Sequence, residues 1–222
     1  MKKEFKKIIA IIKAAPQLKS QFFIALFLFA TGAFCEFSSN LGNTGILGIF
    51  ACISTIYQSI MQSNGSSMVQ SSAAAKKFQT LYPFIIQIPY NIIIFAILSW
   101  HRVYLADKPL NNMSATCNYA TQCSLIILYS MLIFFSIIFQ IISNRFLVIG
   151  IIFMSLSIVP IVISISFVGL RMQALLYRIT STNAVIIGYL IIIVGSLLSI
   201  LLANLLYKYP ISAHVMKANT KA

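Results

Sequence analysis

AVIIGYLIIIVGSLLSILLANLLY, residues 184–207, decides the fold class. The run carries no charge. As a helix it would be about 36 Å long, enough to cross the roughly 30 Å hydrocarbon core of a bilayer. A spanning barrel strand would need only about ten residues with polar alternation, and this run has none. At this length its many β-branched isoleucines therefore do not argue for a strand.

Five further runs read the same way. They are SQFFIALFLFATGAFCEFS (20–38), TGILGIFACISTIYQSIMQ (44–62), LYPFIIQIPYNIIIFAILSW (81–100), 122–143 and 146–170. The expectation is an all-α integral membrane protein with six transmembrane helices over 20–207. Pro160, midway along the fifth run, predicts a kink or a re-entrant break. Composition agrees: 59% of the 222 residues are hydrophobic and 9% are charged, against about 25% charged in soluble domains.

The 16 Lys and Arg face only three carboxylates, for a net charge of +13. Such a balance can signal nucleic acid. Here the cations sit between apolar runs, where membrane proteins keep their topology signals, so no nucleic-acid partner is expected. With the N-terminus in the cytoplasm, the inner segments hold Lys2, Lys3, Lys6, Lys7, Lys13, Lys19, Lys76, Lys77, Arg145, Lys208, Lys217 and Lys221. The outer segments hold Arg102, Lys108, Arg171 and Arg178. That bias places both termini in the cytoplasm and requires an even number of spans.

Residues 1–19 do not read as a cleaved signal peptide, because Lys13, Pro16 and Lys19 interrupt the apolar run and no small-residue cleavage site follows. KKEFKKIIAIIKAA (2–15) separates Phe5, Ile8, Ile9 and Ile12 from Lys3, Lys6, Lys7 and Lys13 at helical spacing. It reads as an amphipathic interfacial helix or, more plainly, as an orientation signal. Phe5, Lys6 and Lys13, with Trp100 at the other membrane face, are the expected interfacial anchors. Residues 208–222 are expected as a cytoplasmic tail.

Catalytic chemistry is scarce. There are two histidines, His101 and His214, and no HExxH, CxxC, GxSxG or phosphate-cradling GxxxxGK[ST]. The chain is expected to be no enzyme and to bind no metal or cofactor itself. Glu36 is the one acidic residue in or beside a span. It reads as a solvated helix end, or as a functional ionisable group. Cys52 suits packing. Cys35, Cys117 and Cys123 fall at or beyond the outer surface, where Cys117–Cys123 is a candidate disulfide that spacing alone does not fix.

The third run carries Pro83, Gln87, Pro89 and Asn91. Two prolines and two amides suit either a kinked helix glued to its neighbours or the lining of a translocation path. Gln87, Pro89, Asn91 and Glu36 are the path candidates. Gly45, Gly48 and Ala51, spaced by three, form a small-residue stripe suited to close helix packing. The connector SSMVQSSAAAKKFQT (66–80) is polar, alanine-rich and doubly basic. It reads as a polar loop or as a short helix.

This layout resembles the permease subunits of ABC-2 type exporters: six spans, termini inside, a basic amphipathic lead-in helix and a short cytoplasmic helix after the second span. The resemblance implies a permease that works as a homodimer or pseudo-dimer with separate ATPase subunits, which would bind the ATP and magnesium. It implies a coupling helix within 66–80, with Ser71, Ala74, Lys76, Lys77, Phe78 and Gln79 facing the ATPase, and short outer helices within 171–183. Many members carry an acidic residue in this connector; here there is none between Glu36 and Asp107. The short outer loops suit export of a peptide or hydrophobic compound, and the Lys- and Ile-heavy composition suits a bacterial cytoplasmic membrane. The alternatives are a non-transporting protein, such as a bacteriocin-immunity or accessory subunit, and a stand-alone secondary transporter.

Overall fold

The computed structural model describes residues 18–38, nine positions between 45 and 61, 67–73, 75–108, 114–167 and 179–213. At 18, 67–68 and 158–167 only the backbone is described. The interfacial segment with Phe5, Lys6 and Lys13, most of the proposed outer helices and residues 214–222 of the tail lie outside these residues. Ala74 and the side chain of Pro160 do too.

The described chain is helical, with no strand. The helices are α1 (Leu18–Ser38), α2 (Ser67–Gln70), α3 (Ala75–Thr80), α4 (Tyr82–Ala106), α5 (Ala115–Ser143), α6 (Leu147–Phe167) and α7 (Ser181–Leu206). Among the described residues, four stretches are long and apolar enough to cross a membrane: Lys19–Ser38, Ala75–Ala106, Ala115–Ser143 and Ser181–Leu206. In α6 the apolar stretch runs over Leu147–Ser157. All nine described positions between 45 and 61 are helical.

The core is built from α4, α5 and α7. Antiparallel α4 and α5 are pinned near both ends, by Arg102 to Gln122 and by Gln87 to Gln140. Parallel α5 and α7 keep one register: the Tyr119 hydroxyl accepts from the Ser181 amide, and Phe134 packs where Gly195 has no side chain. Phe95 likewise lies over Gly188 and meets Tyr189 edge-on at 4.9 Å. Phe84, Leu98, Ile126, Ile133, Ile137 and Ile192 fill the remaining centre. Large apolar side chains also point outward in quantity, including Phe22, Phe23 and Phe27 on α1 and Leu197, Leu201 and Leu205 on α7. A water-soluble surface does not carry apolar faces of this extent, whereas lipid-facing helices do.

α1 meets the second apolar run through glycines. A β-carbon on Gly48 would lie 2.8 Å from the Leu28 carbonyl oxygen and 2.9 Å from the Gly32 Cα. The small-residue stripe thus lets two backbones touch, which is how helices associate when lipid removes the hydrophobic drive.

Several expected boundaries move. α4 runs to Ala106, not to residue 100, and α5 starts at Ala115, not 122. The expected outer loop of 100–122 shrinks to 107–114, because its polar residues are buried partners rather than loop residues. Ser114 ends the connection by accepting the Cys117 amide, an N-cap bond. The expected outer helices within 171–183 overlap α7, which begins at Ser181 behind a Thr180 cap. The connector is not one helix. It breaks at 71–73, where the Ser72 hydroxyl bonds the Val69 carbonyl at 2.8 Å and competes with the helical ladder. It resumes as α3 and continues into α4 through Leu81, with Pro83 at the first turn, where a missing amide hydrogen costs nothing.

Candidate functional site in the helix bundle

Along α4 the buried positions Gln87, Asn91, Ile94, Leu98, Arg102 and Leu105 recur every three or four residues. They form one stripe, with polar groups at both ends and apolar ones between. Each polar end gathers partners from other helices.

At one end Arg102 donates to Glu36 Oε1 of α1, and both side chains are fully buried. The Tyr129 hydroxyl of α5 donates to the same oxygen. Arg102 also donates to Gln122 Oε1 at 3.3 Å, and Gln122 in turn donates to Asn118. Asn118 Nδ2 donates to the Leu105 and Lys108 carbonyls at 2.9 and 3.0 Å, satisfying the end of α4. His101 meets Phe37 edge-on at 4.6 Å. Among the described residues Glu36 Oε2 has no hydrogen-bond partner. Removing two charges from water is costly unless they are paired and further hydrogen-bonded, and this cluster supplies both conditions.

Glu36 is therefore not a solvated helix end, and Arg102 is not an exposed topology charge. The pair is not legible in one dimension, because Trp100-His101-Arg102 reads as the end of a span. The period of the α4 stripe, continued past Leu98, was the signal that would have placed Arg102 inward.

At the other end Gln87 donates to Gln140 Oε1 at 2.6 Å, and Gln140 donates to Ser136 at 3.5 Å. Asn91 of α4 and Ser196 and Ser199 of α7 are also buried. Both polar atoms of Asn91 and the two serine hydroxyls have no partner among the described residues. The four path candidates are thus not brought together. Gln87 and Arg102 are separated by about 22 Å of α4, with Ile94, Phe95 and Leu98 buried between them. Pro89 is exposed on another face of the helix. Gln87 and Asn91 remain inward, Glu36 belongs to the opposite cluster, and Pro89 faces away.

Beyond the Gln87 end, α3 docks on the bundle. Ala75, Phe78, Gln79 and Thr80 are buried while Lys76 and Lys77 are exposed; Ser71 lies exposed in the preceding turn. Phe78 packs edge-on to Tyr82 at 4.7 Å. Arg145, in the α5–α6 turn, donates to Gln79 Oε1 and to the Tyr209 carbonyl, each at 2.6 Å. The Ser212 amide donates to the Asn144 carbonyl at 2.8 Å. Burial lowers the Arg145 pKa, opposed by the nearby tyrosines 57 and 207. Phe78 and Gln79, expected to face an ATPase, instead anchor the helix, leaving the two lysines outward.

Trp100 is exposed and stacks on exposed Tyr104 with rings 6.2 Å apart; Lys108 lies 4.2 Å from the Tyr104 ring. This aromatic pair faces outward as a membrane anchor does. None of the four cysteines is in a disulfide. The Cys117–Cys123 bridge is not formed: both lie on α5, where six residues of rise hold them about 9 Å apart, beyond disulfide reach. Among the described residues no three His, Cys, Asp or Glu side chains gather to hold a metal.

These features define a membrane-embedded, all-helical protein with ionisable and amide groups buried in its bundle. No family model, no curated protein and no solved structure matches the chain.

Proposed function

We propose that this chain is the membrane-spanning permease subunit of an ATP-driven exporter of the ABC-2 type. It would cross a bacterial cytoplasmic membrane six times with both termini inside. In this reading, separate ATPase subunits supply ATP hydrolysis, a second permease copy completes the transporter, and the cargo is a peptide or hydrophobic compound. The observation that supports it is α3. It is a short helix seated at the bundle end, continuous with α4, with Lys76 and Lys77 turned outward. A push on such a helix would act directly on the helix that carries Gln87, Asn91 and Arg102.

The test is affinity purification of the full chain from its native membranes, with the co-purifying ATPase identified by its Walker motifs and its hydrolysis measured. Loss of that subunit in Lys76→Glu/Lys77→Glu, with the variant still inserted and folded, is the expected result. Normal binding and hydrolysis by the variant would remove the coupling role.

A stand-alone ion-coupled transporter is the second reading, and the buried Glu36 favours it, since membrane-embedded carboxylates mark proton and ion relays. Purified protein in liposomes, with no ATPase present, separates the two. Ion-driven uptake abolished by Glu36→Gln would support this second reading.

A further inference from the structure

At the α3 end of the bundle, three cations from three parts of the chain each lie over one of two tyrosine rings, those of residues 207 and 209. Lys76 and Arg145 approach the Tyr207 ring to 5.9 and 5.8 Å. Lys208 lies 5.1 Å from the Tyr209 ring. Lys77 is exposed one residue from Lys76.

No carboxylate among the described residues offsets this charge. Glu36 pairs with Arg102 at the opposite end of the bundle, and Asp107 follows α4 at that same opposite end. The hydrogen-bond partners of Arg145, Gln79 Oε1 and the Tyr209 carbonyl, are neutral. Like charges gathered beside low-dielectric protein repel one another, and an anion among them relieves the repulsion.

The neighbouring surface says which anion. Val194, Leu197 and Leu201 are exposed on α7. Lys208 lies in the turn just past α7, 14, 11 and 7 residues on from them, and the helical period of 100° per residue carried on to it puts all three near its side. An apolar ladder therefore leads up to the cationic group. Tyrosines 207 and 209 follow directly on the last apolar turn of α7, the sequence position at which membrane helices carry amphipathic rings for the headgroup layer. Free phosphate would use the cations and leave the ladder unused.

We infer that Lys76, Arg145 and Lys208 form a binding site for the phosphate of an anionic phospholipid, whose acyl chain lies along Val194, Leu197 and Leu201. The site holds α3, the α5–α6 turn and the end of α7 together through one headgroup. It does not depend on the protein being an exporter.

The test uses the full chain, purified and delipidated in detergent. Thermal unfolding is followed while dioleoyl phosphatidylglycerol, dioleoyl phosphatidylcholine or inorganic phosphate is added. Phosphatidylglycerol raises the Tm; phosphatidylcholine and phosphate do not. Arg145 bridges two elements, so the variant used is Lys76→Gln/Lys208→Gln, at two exposed positions. Its Tm in phosphatidylcholine does not fall below that of the parent chain, since removing like charges relieves repulsion. Its apparent affinity for phosphatidylglycerol, taken from the dependence of Tm on lipid, falls about 25-fold, or about fivefold per lysine. Equal effects of the two lipids, full retention of the effect in the variant, or equal stabilisation by phosphate alone would each overturn the assignment.

Discussion

Glu36 and Arg102, 66 residues apart in sequence, form an ion pair in which neither side chain reaches solvent. With Tyr129 donating to the same carboxylate oxygen, the pair ties α1 to both α4 and α5. Arg102→Met or Glu36→Gln alone leaves a buried charge unpaired and should cost about 3–5 kcal/mol. Glu36→Met/Arg102→Met removes both charges and should recover most of that loss. Unfolding in detergent measures all three, and single-variant losses under about 1 kcal/mol would mean the pair does not hold α1.

The Gln87–Gln140 bond crosses α4 and α5 at 2.6 Å with both side chains buried. A double-mutant cycle of Gln87→Leu and Gln140→Leu should give a coupling of about 0.6–1.7 kcal/mol, the range for hydrogen bonds between membrane helices. Additive losses would show that the amides are not acting as a pair.

Gly48→Ala places a methyl against the backbone of α1. Neither the Leu28 carbonyl nor the Gly32 Cα can rotate away, so the helices must part. A loss of about 1–3 kcal/mol is expected from overpacking, read by thermal or denaturant unfolding. A stability equal to the parent chain would mean that α1 and the second run cross further apart.

Arg145 joins α3 to the segment after α7 through two guanidinium hydrogen bonds. Arg145→Lys keeps the charge but lacks the planar fork, so it should not rescue docking of α3. Limited trypsin digestion reads this directly. Cleavage at Lys76 and Lys77 should accelerate in both Arg145→Ala and Arg145→Lys, and a protected connector in the lysine variant would show that charge alone holds it.

Because Cys117 and Cys123 lie on one helix without a bridge, the denatured, unreduced protein should take four maleimide labels, one for each cysteine. Reductant should leave the Tm unchanged. Two labels rather than four would show a disulfide.

The membrane class is legible from the amino-acid pattern alone. Long uncharged runs cannot be accommodated in water, and runs too long for barrel strands become membrane helices. The helical cores at 20–38, 82–100, 122–143 and 184–206 are readable from hydropathy, and the Gly45–Gly48 stripe from residue size. Where hydropathy met a buried polar residue it stopped too early. His101, Arg102, Asn118 and Gln122 look like a loop in one dimension, because their compensating partners are distant in sequence. Only the tertiary structure decided that Glu36 meets Arg102, that Pro89 faces away from Asn91, and that Arg145 carries α3. A charge or amide is inexpensive to bury only beside its complement, and which residue becomes that complement is fixed by helix packing and register, not by local pattern.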